Sequence, residues 1–457
     1  MERRTFMSSV AGALAAQVSG AQVVRAPARA PAPNIVYIMA DDLGYFDLGC
    51  YGQEHIKTPN IDRLAAEGMR FTHCYSGATV CAPARSTLMT GLHTGHTTVR
   101  SNLSVRTGRR VSLQADDFTI AEMLKGSEWV DAFDEERAYV TGMFGKWGLG
   151  EPGSPGLPND HGFDEWFGYL NQQHAHSHYP EYLWRNKRKE TLHGNVDGQR
   201  REYSSDLFTR EALYFIDRHR YQRFFLYLPY TVPHARNEVP SLEPYTGEPW
   251  SEQEKTYAAM VTRLDSYVGQ VVAKLKETGL EEDTLIFFAS DNGGTSGSSA
   301  RFGGNRHLNG RKGSVYEGGI RVPMIARWPG RITAGSVSNY PWAFWDLMPT
   351  IAELVGTRSL RDSDGVSVAP VLFGQSPRVE ERTLYWENYD GRGFSQAARI
   401  GNWKGVRHGL KEPLELYDLS TDEGETKNVA SANPHVVQRM EEYLAQSRTD
   451  SLEYPAS

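Results

Sequence analysis

Cysteine is scarce in this chain: three in 457 residues, Cys50, Cys74 and Cys81. That excludes a disulfide framework, which needs several pairs in a much shorter chain. If Cys81 is chemically consumed, only Cys50 and Cys74 remain, and sequence carries no distance between them. Basic charge is also short. Lys and Arg number 49 against 56 Asp and Glu, a formal net charge of -7. Such a balance exerts no general pull on nucleic acid or anionic membranes, so an anionic substrate would need a local positive site. Past about Val24 no apolar run is long enough to span a bilayer. Internal repeats are absent.

What is present is globular composition, 39% hydrophobic and 23% charged. The length suffices for a large domain with a smaller one attached. The 23 Tyr and 10 Trp offer faces for packing and for sugar or aryl groups. Residues 1–33 read as an export signal and linker. Arg3-Arg4-Thr5-Phe6-Met7 is a twin-arginine pattern, Ser8 to about Val24 is small and weakly apolar, and Arg25–Pro33 is an Ala/Pro/Arg tract. The expectation is a bacterial protein carried folded by the twin-arginine machinery to the periplasm or beyond.

Asn34–Ala40 is a continuous apolar run that ends in Asp41-Asp42, as a buried parallel strand would. Thr58–Gly68 predicts a helix with Pro at its start, and Phe71–Tyr75 a short strand. A helix is expected from about Cys81, others over Phe118–Lys125, Ser205–Arg218 and Glu252–Thr278, and strands over Ala138–Phe144, Phe224–Leu228 and Thr284–Ala289. This alternation predicts an α/β fold: a large, mostly parallel sheet sandwiched by helices, with ligands at its carboxyl edge, over residues 34–355. From 356 to 457 the pattern becomes short strands at Leu384–Trp386, Ala397–Ile400, Trp403–Arg407 and Leu414–Asp418, then a helix over Pro434–Ser447. That predicts a small antiparallel sheet packed by a helix.

Asp41, Asp42, Asp291 and Asn292 follow two predicted core strands. Carboxylates crowded at one strand end repel unless a cation lies among them, and all-oxygen donors suit Ca²⁺, or Mg²⁺, better than zinc. The alternative is a helix cap and a turn. Cys81 precedes a helical run with Arg85 one turn on, which reads either as an activated thiolate or as a buried structural cysteine.

Cys81-Ala-Pro83-Ala-Arg85-Ser-Thr-Leu-Met-Thr90-Gly91 resembles the signature Cys-x-Pro-x-Arg…Thr-Gly of the type I, formylglycine-dependent sulfatases, arylsulfatase-like members of the alkaline phosphatase superfamily. The likeness runs from Pro33-Asn34-Ile to Glu415-Leu-Tyr-Asp-Leu419. It implies that a formylglycine-generating or anaerobic sulfatase-maturating enzyme oxidises Cys81 to formylglycine, whose hydrate attacks sulfur. It implies Asp41, Asp42, modified Cys81, Asp291 and Asn292 as metal ligands. Arg85 resembles the arginine that steadies the hydrate, Lys146 and Lys312 the lysines on sulfate oxygens, and His234 the histidine at the leaving group. An anionic transferring group flanked by cations, with a proton donor for the alcohol, is coherent chemistry.

One position departs from the resemblance. A histidine is expected two residues after Lys146, and Gly148 stands there. The run Gln172-Gln173-His174-Ala-His176-Ser-His178 supplies His174 and His176 as a substitute base or substrate contact, against a polar surface loop. The resemblance implies a sulfuric ester hydrolase, with a sulfated small molecule or glycan, most of all a sulfated carbohydrate, as substrate. A phosphate or phosphonate ester hydrolase of the superfamily and a non-catalytic sulfated-glycan binder are the alternatives.

Overall fold

A computed structural model describes residues 32–126, 139–295, 300–357, 361–390 and 393–456. The export signal and the first residue of the strand expected at Ala138 lie outside them. In chain order the strands are β1 Asn34–Ala40, β2 Met69–Phe71, β3 Cys74–Tyr75, β4 Val140–Lys146, β5 Glu165–Tyr169, β6 Tyr182–Arg185, β7 Arg188–Thr191, β8 Phe224–Pro229, β9 Thr284–Ser290, β10 Met324–Arg327, β11 Ser336–Ser338, β12 Trp342–Ala343, β13 Thr383–Asp390, β14 Gly393–Ile400, β15 Trp403–Arg407 and β16 Glu415–Asp418.

The main sheet has ten strands in the order β11-β2-β10-β9-β1-β8-β4-β5-β6-β7. Its centre, β9-β1-β8-β4-β5, is parallel throughout. β10 enters antiparallel between β9 and β2, and the β6–β7 hairpin closes the far edge. All seven residues of β1 are buried because both of its faces are covered. Val36, Ile38 and Ala40 pack under helices 204–218 and 252–277, while Ile35, Tyr37 and Met39 join the core formed with helices 81–90, 120–125 and 347–355. Successive side chains of a strand point to opposite faces, so one apolar heptapeptide anchors both helix layers. Ile38→Ala would cost about 2–5 kcal/mol by opening a cavity there.

The C-terminal sheet, β13-β14-β15-β16, is antiparallel throughout. Met440 and Leu444 of helix Pro434–Gln446 pack against Tyr385, Ala398 and Leu416. The fold is thus the expected one. The single strand expected over Phe71–Tyr75 is instead two: β2 pairs with β10 and β11, whereas β3 leaves the sheet to pair with β12. Hydrophobicity runs through both, but the chain changes partners at Thr72-His73, where Thr72 N–H bonds Ser338 O at 2.9 Å.

Candidate active site

Register brings the two acidic pairs together. β1 and β9 lie side by side with Ala40 opposite Ser290, so Asp41 and Asp291 leave the sheet at the same level. Asp42 turns back with φ 66, a left-handed conformation that Asp tolerates better than most residues. Its N–H donates to Asp291 Oδ1 at 3.1 Å, and Asn292 Nδ2 donates to Asp42 Oδ1 at 2.8 Å.

Cys81 is the first residue of helix Cys81–Thr90, whose ten residues are all buried. Its Sγ lies 3.3 Å from Asp41 Oδ1 and 3.5 Å from Lys312 Nζ. One turn on, Arg85 is fully buried with Nη2 2.8 Å from Asp291 Oδ2 and 3.5 Å from Asp41 Oδ2, while Nη1 donates to Lys146 O at 2.6 Å. Lys146, the last residue of β4, places Nζ 2.7 Å from Asp41 Oδ2. Lys312 reaches in from the loop after β9, with Nζ 2.6 Å from Asp42 Oδ1. His234 Nε2 stands 3.6 Å from Asp42 Oδ2, and its Nδ1 contacts Ala235 O.

Charge balance explains the protonation states. Burial alone would raise Asp41, but Lys146, His234, Arg85 and Lys312 hold its carboxyl well below the usual range. Asp291 is pushed up to about 6 by burial and by Asp41, with Arg85 opposing. The Cys81 thiol is pushed up to about 12 by burial, Asp291 and Asp41. The activated thiolate is therefore not supported. The helix start and Arg85 are outweighed by two neighbouring carboxylates and full burial. Cys50 and Cys74 are free thiols as well.

The oxygen donors suit a hard divalent cation. Asp41, Asp42, Cys81 and His234 present ligand atoms within 4.8 Å of one another. Asn292 Oδ1 is buried with no hydrogen-bond partner among the described residues. An amide oxygen left so is costly unless it meets a cation or water. Asp291 stands outside that foursome, with its oxygens on Arg85 and Asp42 N–H.

The two histidines proposed from the 172–178 run separate. The His176 ring stacks on His234, centroids 4.8 Å apart and planes at 25°. His174 instead packs between Tyr182 at 4.4 Å and Tyr169 at 5.0 Å. Gly148 has φ +82, and a Cβ there would stand 2.5 Å from Gln172 Nε2, so the backbone is shaped for glycine.

Three supporting groups are not evident from sequence reasoning. His178, fully buried, meets His234 O through Nε2 at 3.0 Å. Asn388 of β13 accepts from Thr79 Oγ1 at 2.5 Å and donates to Gly313 O at 3.1 Å, so the small sheet clamps the segments carrying Cys81 and Lys312. Buried Lys404 of β15 bonds Glu317, five residues after Lys312, at 2.9 Å. Histidine spacing is a signal for His178; nothing in the sequence points at Asn388 or Lys404.

This arrangement has known counterparts. Residues 33–357 match the family model for sulfatases, and residues 307–450 match that for the C-terminal region of N-sulphoglucosamine sulphohydrolase. N-acetylgalactosamine-6-sulfatase of Canis lupus familiaris is 34% identical over 88% of this chain and 77% of its own. Arylsulfatase A of Homo sapiens is 32% identical over 90% of this chain and 86% of its own. Among solved structures, Ps i-CgsB in complex with k-i-k-neocarrahexaose superposes with a TM-score of 0.79 at 30% identity, covering 92% of this chain and 94% of that one. A family-model match over most of the chain, and relatives aligned along nearly all of it, make this protein a member of the sulfatase family, a hydrolase of sulfuric esters.

Proposed function

We propose that this enzyme releases inorganic sulfate from a sulfated carbohydrate, and that its nucleophile is a formylglycine made from Cys81. The observation that carries this reading is the placement of Cys81. It sits at a helix start beside Lys312 and against Asp41, where burial, Asp291 and Asp41 push its thiol up to about 12. Formylglycine would supply, as its hydrate, an oxygen nucleophile that can later expel sulfate, which a serine ester could not.

Asp41, Asp42, Asp291, Asn292 and residue 81 once modified would hold Ca²⁺, with Mg²⁺ as the other candidate. The bound ion would supply Lewis-acid stabilisation of negative charge on the transferring oxygens. Lys146 and Lys312 hold the sulfate oxygens, each now neutralised by an aspartate that the ion would share. Arg85 spans Asp41 and Asp291 and fixes their spacing. As the sulfur–oxygen bond to the alcohol breaks, the departing oxygen takes a proton from His234 Nε2. With Nδ1 turned to Ala235 O, Nε2 carries that proton only in the imidazolium; burial, with Lys146 and Lys312, lowers the His234 pKa against this form, while Asp41 and Asp42 favour it. His176, stacked on His234, would serve where Gly148 offers no side chain.

The same reading assigns a maturation enzyme for Cys81 as a partner, and twin-arginine export to the periplasm or medium. Catalytic domain 34–355 and subdomain 356–457 are proposed as its two parts. The test is sulfate release from sulfated mono- and oligosaccharides of defined position, beside matched phosphate and phosphonate esters. Faster turnover of a carbohydrate sulfate is expected. Preference for the phosphorus esters would contradict it, and binding without turnover by matured protein would make the chain a glycan binder.

A further inference from the structure

The chain is acidic overall, yet two arginines beside the site are exposed and carry no carboxylate partner among the described residues. Arg236 lies two residues past His234, and Arg311 immediately precedes Lys312. They come from different elements: the turn after β8 and the loop after β9. The backbone is tied to the site at Arg236 and at the residue after Arg311. Arg236 N–H donates to His176 O at 3.3 Å, and Lys312 N–H donates to Gly294 O at 3.1 Å.

Arg236 also lines a cavity of about 500 Å³ whose wall includes Asp42, so this cavity touches the candidate catalytic centre. The remaining wall mixes apolar Pro233, Ala235 and Tyr257 with polar Asn237, Glu252, Gln253 and Thr256. Amides, hydroxyls and a carboxylate suit the hydroxyls of a sugar. A free guanidinium adds a planar fork that matches a sulfate or carboxylate through two parallel hydrogen bonds. The reacting sulfate is already served by Lys146 and Lys312 deeper in the site. Cations at the rim have no role toward it.

We infer that Arg236 and Arg311 bind further anionic groups of the same glycan, so that the enzyme's substrate is a polyanionic saccharide bearing more than one sulfate or carboxylate. This deepens, and rests on, the sulfated-carbohydrate reading. An oligosaccharide would place its reacting ester between the lysines and its neighbouring residues across the rim, with Arg236, two residues past His234, and Arg311, next to Lys312, gripping adjacent anions.

The experiment compares two substrates of matured enzyme: an oligosaccharide with several sulfates and one carrying a single sulfate at the same position. Arg236→Ala and Arg311→Ala are each measured on both, with Arg63→Ala, an exposed arginine on helix Pro59–Ala66, as control. Each variant is expected to lower kcat/KM for the polysulfated substrate about tenfold more than for the monosulfated one, chiefly through KM. Arg→Lys should restore part of the loss, since charge survives without the fork. Raising salt from about 0.05 M to about 0.5 M should shrink the difference, because exposed charges are screened. Equal losses on both substrates, or a matching loss in Arg63→Ala, overturns the inference while leaving the carbohydrate reading intact. If matured enzyme turns over no carbohydrate sulfate at all, both fall together.

Discussion

The ring of His176 lies on the ring of His234, centroids 4.8 Å apart, while the backbone oxygen of His176 accepts from Arg236 N–H. His176 is exposed and its neighbour is buried, so the outer ring is open to solvent and the inner one faces Asp42. Burial, His234 and Lys146 lower the His176 pKa, with Asp41 opposing and Lys312 adding to the fall, which keeps it neutral and able to accept a proton. His176→Ala should therefore lower kcat about tenfold to a hundredfold and alter the pH–rate profile with little change in stability. His174→Ala should do the reverse, costing stability through lost packing on Tyr169 and Tyr182. Steady-state kinetics and urea midpoints of both variants check this; unaltered kcat and pH profile in His176→Ala would remove it from the mechanism.

Lys146 is wholly buried against Asp41. Lys146→Met leaves a buried carboxylate short of its nearest cation, which costs about 3–5 kcal/mol when one partner of such a pair is removed. That loss should appear in chelator-treated protein and shrink when Ca²⁺ is added, because a cation beside Asp41 supplies the missing charge. Urea denaturation with and without Ca²⁺ measures both arms. Turnover should fall in either condition if Lys146 holds a sulfate oxygen as proposed.

Gly148 cannot simply be returned to histidine. Its φ of +82, and the 2.5 Å that would separate Gln172 Nε2 from a Cβ at this position, penalise any L side chain. Gly148→Ala should destabilise by about 1–2 kcal/mol. Adding Gln172→Ala should recover the steric part and leave the conformational part. Full recovery in the double variant would show that the backbone is not strained.

One buried lysine, Lys404, serves two carboxylates, Glu317 at 2.9 Å and Glu425 at 3.1 Å. Glu317 also has Arg321 and the Tyr75 hydroxyl, so it keeps its charge and Glu425 takes the proton. Burial and Glu317 push Glu425 up to about 7 from 4.5, with Lys404 opposing. The folded protein binds this proton where the unfolded chain has lost it. Stability from Glu425 is thus present below pH 4.5 and declines as pH rises to about 7. Glu425→Gln should flatten that slope, worth up to about 3 kcal/mol. Chemical denaturation at about pH 5 and about pH 7.5 reads it, and an unchanged slope would assign the titration elsewhere.

The legible parts of this protein are those where local pattern and tertiary role coincide. β1 and β9 are buried from end to end and largely apolar because both faces are covered, so the acidic residues that follow them announce a site at the carboxyl edge. Lys312 and His234 sit in loops, where no periodicity marks direction; only resemblance singles them out. The β6–β7 hairpin is illegible because an edge strand such as Arg188–Thr191 is largely exposed and has no apolar alternation. The split of Phe71–Tyr75 depends on partners far along the chain, Ser338 and Trp342, which local hydrophobicity does not encode. The thiolate reading of Cys81 fails for a related reason. Helix position and Arg85 are local, whereas the carboxylates that raise its pKa arrive from positions 41 and 291.

The central claim is that Cys81 is a precursor and not the nucleophile. Its most direct test is the mass of the peptide containing residue 81, taken from enzyme produced with a maturation enzyme and shown to be active. The account predicts a peptide lighter than the thiol form, in which the side-chain sulfur has been replaced by an aldehyde oxygen that reacts with carbonyl reagents. An unmodified thiol in fully active protein would contradict it.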